Sequence, residues 1–315
     1  MLQESPDYQF SPYDLPVEEY WGLVQIVNQH TIEQYRAFLA TLTTDLNQAI
    51  VLVGSDGKRE RHSQSRTEFV ILTEKQDLSR TSQVLTNKLL SKEFPIHYEL
   101  GPDGFIEVKC LADDMPLSYA YADPNRVYPD RTLNITRVAG NSDITHKARR
   151  ITLEEMALNS QLSGRIQERM KEQLRQYRQT MKTGSYRNVP VFSVEHAVQY
   201  YDEHSPLRFG FKMGFLRAVQ RKLDLITANM VSEGSSSIDK LAQDLPVTTV
   251  DRIGFFARNC IIPHNLENPL CEAYLWFLRE YHRAQESYKR NQRTVETPFD
   301  SSLMQEYRGI ILDFV

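Results

Sequence analysis

Cysteine, clustered histidine, long apolar runs and a surplus of either charge are what this chain has least of, and each shortage removes a class of function. Its three cysteines, Cys110, Cys260 and Cys271, contain no CxxC pair and leave an odd thiol. That excludes a disulfide scaffold or zinc ribbon and predicts a reducing compartment. Eight histidines offer no HxxxH or HExxH spacing, so no zinc site is indicated. No stretch approaches the ~18 consecutive apolar residues of a membrane span, and the longest local apolar block, Ala49 to Val53, is strand-sized. The start, Met1-Leu-Gln-Glu-Ser-Pro6, lacks a charged-then-apolar leader pattern. A cytoplasmic protein without membrane partners is expected, and a secreted effector with an uncleaved signal would read the same way.

The charge count is 37 Lys and Arg against 41 Asp and Glu, a net of −4. This balance argues against a generic nucleic-acid coat, which carries a strong basic excess. What is present is core-forming material: 41% hydrophobic and 10% aromatic residues over 315 positions, enough for two domains at roughly 150 residues each. Disorder is not expected.

Apolar periodicity divides the chain. Leu23, Ile26, Val27, Ile32, Tyr35, Phe38 and Leu39 recur at three and four, predicting a helix over about Leu15 to Asp45. Ala49-Ile-Val-Leu-Val-Gly54 is a continuous apolar run stopped by glycine, as in a buried strand. Thr67 to Thr73 reads as a second strand, Ser79 to Lys92 as a helix, and Ile96 to Leu100 with Phe105 to Leu111 as a hairpin around Gly101-Pro-Asp-Gly104. Leu133 to Ala139 is a further strand, closed by Gly140-Asn141. From Ser142 onward no strand signal stands out. Helices are expected over Thr152–Lys182, Val194–Tyr201, Leu207–Met230, Ile238–Leu245, Thr248–Arg258, Leu270–Gln292 and Ser302–Phe314. The expected class is α+β, with an α/β domain over 1–145 and an all-α helical bundle over 146–315.

The loop between the first two strands, Gly54-Ser-Asp-Gly57-Lys-Arg-Glu60-Arg-His-Ser-Gln-Ser65-Arg66-Thr-Glu68, carries the chemistry. Gly-Ser after a strand lets backbone N–H groups approach an anion closely. Carboxylates at i and i+2 on the following strand would point to one face and, with a third from a neighbouring strand, hold Mg²⁺ against phosphates. The segment resembles the signature of the PII-uridylyltransferase-like nucleotidyltransferases, Gly-(Gly/Ser)-x-Gly-Arg-x-Glu, four residues, then Ser-Asp-x-Asp. Gly54, Ser55, Gly57, Glu60 and Ser65 match it, and Lys58 replaces the arginine. The two metal-binding aspartates fall on Arg66 and Glu68. No shift of register restores them. Arginine stays protonated, so Arg66 would repel the ion and could partly replace its charge. The third carboxylate is expected at Glu107.

The resemblance extends, less specifically, to the C-terminus. Tyr128-Pro-Asp130-Arg131-Thr-Leu-Asn134-Ile-Thr-Arg137-Val-Ala-Gly140-Asn141 is similar to the strand closing the catalytic domain, with Asn134 and Asn141 where acids are usual. Phe211-Lys212-Met-Gly214-Phe-Leu216-Arg217 is similar to an element facing nucleotide and substrate, so Lys212 and Arg217 are candidates for phosphate oxygens. Thr249 to Phe256 and Leu270 to Tyr281 are similar to the family's paired closing helices.

The resemblance implies a polymerase-β-type nucleotidyltransferase domain followed by a helical substrate-binding domain. One reading is an active enzyme that transfers a nucleoside monophosphate from an NTP to a protein or small-molecule acceptor. In it Gly54, Ser55, Gly57, Lys58, Ser65, Lys212 and Arg217 hold the nucleotide, Glu68 and Glu107 bind Mg²⁺, and Arg66 joins them in the catalytic group. The other is a catalytically impaired pseudoenzyme binding a nucleotide or a partner protein, a regulatory CBS-type protein being one such partner. Arg258-Asn259 and His264 have the spacing of HEPN-type ribonucleases, a further alternative, but Pro263 would break the single helix those enzymes need. The basic stretch Arg165 to Arg187 reads as a helix laced with charge pairs, and no Gly-x-Ser-x-Gly hydrolase context surrounds Ser55 or Ser65.

Overall fold

A computed structural model describes residues 12–39, 47–61, 67–74, 82–84, 86–87, 98–99, 106–111, 116–120, 123–157, 160–186, 189–190, 198–201, 210–291, 295–298 and 300–315. The architecture is α+β. Arg66, Ser65 and His62 of the signature loop lie outside the described residues, as do most of the expected helix over Ser79–Lys92 and the turn Gly101–Gly104.

The first helix, α1 (Val17–Leu39), buries Val17, Tyr20, Val24, Asn28, Ile32, Tyr35 and Leu39. Its inward line therefore differs from the purely apolar one the sequence suggests: Leu23, Ile26 and Val27 are exposed. Polar partners set the rotation. Tyr20 Oη shares a 2.5 Å hydrogen bond with His282 Nδ1, and Asn28 accepts from the Arg61 amide at 3.2 Å, so these residues must face in.

Strand β1 (Gln48–Leu52) is buried along its whole length, as its unbroken apolar run predicts for a strand covered on both faces. Ile50 and Leu52 pack with Ile32, Tyr35 and Leu39 of α1, while Ala49 and Val51 pack with Ile144 and Ala148 from the opposite side. A single helical turn, α2 (Gly54–Gly57), follows. Strand β2 (Thr67–Thr73) returns antiparallel to β1, with Gln48 opposite Thr73 and Leu52 opposite Phe69.

The expected hairpin is not formed. Strands β3 (Tyr98–Glu99) and β4 (Glu107–Cys110) both run parallel to β2, one after the other along its free edge, pairing Glu68 with Glu99 and Val70 with Glu107. Strands that both pair parallel with the same partner do not face each other as a hairpin. A short ladder, β5 (Tyr119–Ala120) with β6 (Asp123–Val127), precedes a second one-turn helix, α3 (Asp130–Leu133), and then β7 (Thr136–Gly140), antiparallel to β1. The expected strand from Leu133 thus starts three residues later, because Pro129 presets a helical entry.

Helix α4 (Ser142–Ala157) begins ten residues before the expected helix, and the 145/146 boundary falls inside it. The single long helix expected over Thr152–Lys182 is two. Ser160 and Ser163 form a reciprocal capping box that starts α5 (Gln161–Thr183), and Gly184 ends it at φ 65. The helical half also contains strands, contrary to expectation: β8 (Ser185–Tyr186) pairs with β9 (Val189–Pro190), and β10 (Val198–Tyr201) lies where a helix was expected. Its Val-Gln-Tyr-Tyr sequence suits a strand better than a helix. A π-helical turn over Gly210–Leu216 leads into α6 (Arg217–Ser232). Helices α7 (Ile238–Asp244), α8 (Thr249–Arg258) and α9 (His264–Asn291) follow, with α9 running through Pro269. Strand β11 (Val295–Pro298) pairs with β10, and α10 (Ser301–Phe314) closes the chain.

One apolar cluster runs through this half, with Phe215 stacked on Phe277 at 3.8 Å. Val17, Val127 and Leu133 join it from the N-terminal part, so the two parts share a core. Among the described residues no helix is long and apolar enough to cross a membrane.

Gly57 fixes the loop after β1. A Cβ there would lie 2.3 Å from the Asn134 carbonyl oxygen and 2.7 Å from that of Leu52, both backbone atoms. Gly57→Ala should cost about 1–3 kcal/mol of stability, as overpacking against backbone does. Urea unfolding checks this: a midpoint unchanged from wild type would mean the loop yields freely.

Candidate functional site

Residues Gly54–Gly57 of the signature segment form one helical turn directly after β1. Gly54 adopts φ +64, and a Cβ on it would meet the Glu68 carboxylate at 3.3–3.4 Å. The Val53 amide donates to the Glu68 carbonyl at 3.0 Å. The glycine turn and the first acidic residue of β2 are thus in contact. Glu68 shares a face with Val70 by strand alternation, and Val70 is opposite Glu107. Both carboxylates consequently project from the same side, the side covered by α4.

Between them lies a guanidinium. Arg131 Nη2 is 3.0 Å from Glu68 Oε2 and 3.3 Å from Glu107 Oε2. Glu107 is nearly buried, with 9% of its side chain exposed, whereas Glu68 and Arg131 retain 34% and 27%. Mg²⁺ demands near-octahedral oxygen coordination at about 2.0–2.1 Å. Two carboxylates already bridged by one arginine nitrogen do not provide it. Among the described residues no group of three or more His, Cys, Asp or Glu side chains could hold a metal ion. The arrangement present does not fit the ion that the resemblance implies at Glu68 and Glu107.

The expected phosphate-binding cations are similarly engaged. Lys58 is 3% exposed, with Nζ 3.0 Å from Asp130 Oδ2 and donating to Gln220 Oε1 at 3.0 Å. Arg217 Nη1 is 2.5 Å from the same Asp130 oxygen, and Arg221 Nη2 lies 4.0 Å from the other. Both arginines lie 5.9 Å from the centroid of the Tyr128 ring, a distance at which the ring face attracts a cation. Burial alone would raise the Asp130 carboxyl, but the charges of Lys58, Arg217 and Arg221 outweigh it and hold it well below the usual carboxylate range. Lys58 moves the other way from its ordinary value, lowered because it is stripped of water. Lys212 is half-buried in the π-helical turn, and Ser55 is half-buried with its carbonyl accepting the Glu60 amide at 2.8 Å.

Glu60, a match to the signature, faces the helical half. It accepts from the Thr249 amide at 2.8 Å, Gln220 Nε2 at 3.2 Å and Tyr274 Oη at 2.7 Å. Arg252, at 1% exposure, donates to Asp224 at 3.0 Å, Asn134 at 3.3 Å and Thr227 at 3.0 Å. On the other side of the loop, Asp56 pairs with Arg61 at 3.0 Å and leaves Oδ2 buried without a partner. Burial pushes the Asp56 carboxyl up to about 7, against the opposing charge of Arg61.

Sequence reasoning missed Asp130 and Arg131 as participants. Each lies in a motif that drew attention for its strand, and a charge pair inside a turn next to missing carboxylates was the available signal. Arg258 ends α8, Asn259 follows it, and His264 opens α9, so the three do not share a helix. No family model and no curated protein matches this chain.

Two predictions follow from the buried charges. Asp130→Asn should destabilise the fold by about 3–5 kcal/mol, because it leaves buried cations uncompensated; urea unfolding at neutral pH measures it, and a loss under about 1 kcal/mol would mean solvent already screens them. Asp56 has a folded-state pKa above its unfolded value. It therefore contributes stability below the ordinary aspartate range that is lost as pH rises toward about 7. The stability of Asp56→Asn relative to wild type should grow between roughly pH 4 and 7, read from unfolding curves across that range; a pH-independent difference would exclude a raised carboxyl.

Proposed function

We propose that this protein is a nucleotidyltransferase-like pseudoenzyme: a polymerase-β-type domain followed by a helical substrate-binding domain, whose cleft binds a nucleotide without metal-dependent transfer. The observation that carries this reading is the Arg131 guanidinium between Glu68 and Glu107, a fixed positive charge where the related chemistry uses a divalent ion. The contact of Gly54 with the Glu68 carboxylate supports the cleft itself, since it sets the glycine turn against the acidic strand. Arginine holds its charge at any working pH and binds oxyanions, but it cannot polarise two phosphate oxygens and a nucleophile as a metal pair does. Transfer by that route is not supported.

Calorimetric titration of ATP and UTP, with Mg²⁺ and then with EDTA, tests the proposal. Binding that survives chelation, with no pyrophosphate released, is expected. Binding that requires Mg²⁺ together with pyrophosphate release would establish an active transferase instead, and no binding of either nucleotide would remove the nucleotide from the reading altogether.

A further inference from the structure

The charge pairing expected along the basic stretch of α5 holds only in its first half. Lys171 is 2.8 Å from Glu168, and Arg169 pairs with Glu172. There the anions stop: from Gln173 to Val194 the sequence contains no Asp or Glu. Arg175, Arg178 and Lys182 follow one another at spacings of three and four, and all three are exposed. Among the described residues none of them forms an ion pair. Residues three and four apart are neighbours on a helix surface, so the three make one continuous row of positive charge.

The helix itself does not need this row. Like charges at these spacings repel each other. The helix dipole favours cations in the last turn, which accounts for Lys182 but not for Arg175 or Arg178. The carbonyls that end α5 are already served: the Gly184 amide donates to Thr180 at 2.9 Å, and Arg308 of α10 donates to Met181 at 2.8 Å and Lys182 at 3.3 Å. Packing belongs to the opposite face, where Leu174, Tyr177 and Met181 are buried.

The side chains beside the row select its partner. Gln176 and Gln179 are exposed next to it, and their amides both donate and accept. Among the described residues of α5 no aromatic or aliphatic side chain is exposed. The face therefore lacks the apolar anchor of a protein interface or a membrane-surface helix, and the ring on which unpaired bases stack. Fixed phosphates with hydroxyls between them suit what remains. Cations take the phosphates, and amides take the 2′-hydroxyls, which also donate and accept. The net charge of −4 excludes a basic coat but not one basic row.

We propose that the row Arg175, Arg178 and Lys182 is a docking surface for the backbone of duplex RNA, with no selection among bases. It lies outside the cleft discussed above and does not depend on it.

Fluorescence anisotropy of a labelled RNA duplex of about 20 base pairs, titrated with the full chain at several salt concentrations, tests this. Wild type should bind, and more weakly as salt rises. Arg175→Gln, Arg178→Gln and Lys182→Gln together should lower affinity at least about tenfold, and the slope of log affinity against log salt should shrink by about 3, one for each phosphate contact. Glutamine is a good helix former, so the thermal midpoint of this variant should not fall. Should the variant nevertheless fail to fold, acetylation of Lys182 in the wild-type chain, read by peptide mass, gives the answer: duplex RNA should slow it, and an unchanged rate overturns the proposal. No binding of duplex RNA, or equal binding by wild type and folded variant, also overturns it. Equal affinity for a DNA duplex of the same sequence removes the 2′-hydroxyls and with them the assignment to RNA, and equal affinity for poly-glutamate reassigns the row to an acidic protein.

Discussion

Asp130 is the contact on which the junction of this molecule depends. It is one fully buried carboxylate with a lysine from the signature loop and two arginines from α6 directed at it. Buried cations unbalanced by an anion are among the most expensive features a fold can contain. Without Asp130, Lys58 could not be stripped of water where it lies, and Arg217 and Arg221 could not line the seam with the sheet. The same logic continues inward, where Asp224 neutralises Arg252 and Arg221 at 3.0 and 3.1 Å. The seam is thus held by alternating charge over an apolar core that also crosses it.

This use of charge gives Lys58 and Glu60, two positions of the segment that resembles a nucleotidyltransferase signature, partners within the protein itself. Lys58 and Glu60 are two residues apart and both turn toward α6, α8 and α9, where Gln220 bridges them by accepting from one and donating to the other. Gly57 is required because the Leu52 and Asn134 carbonyls press on it. Each of these positions has a structural duty that is independent of any ligand. A motif match at such positions reports the way the loop is packed, and the chemistry has to be read from Glu68, Glu107 and whatever charge stands between them.

Much of the fold was legible because burial leaves a periodic trace. The unbroken apolar run of β1 announced a buried strand, and the helices expected from Ile238, Thr248 and Ser302 start within one residue of α7, α8 and α10, which Ser237, Thr248 and Asp300 cap. Legibility failed where polar partners or distant pairing decided the outcome. The inward line of α1 follows Tyr20 and Asn28, whose partners lie 262 and 33 residues away. Strands β3 and β4 are positioned by the β2 edge, which local turn chemistry does not see. Strand β10 is fixed by β11 nearly a hundred positions later, so its helical reading had nothing local to correct it.

The site was legible in its anions and not in its cation. The resemblance pointed to Glu68 through the register of the signature and to Glu107 as a carboxylate between apolar neighbours, and the pairing of Val70 with Glu107 puts the two on a shared face. The positive charge that joins them comes from Arg131, 63 and 24 residues away, on a turn whose neighbouring asparagines looked like simple losses of acidity. Asn134 is instead an acceptor for buried Arg252, so a neutral side chain there meets a cation that Asp224 already balances. An aspartate in the same place would add a second anion to that arginine and lower the positive field that fixes Asp130. The neutral Asn134 and the guanidinium beside Glu68 are therefore two sides of one electrostatic arrangement, in which the protein supplies its own cations and limits its anions to match.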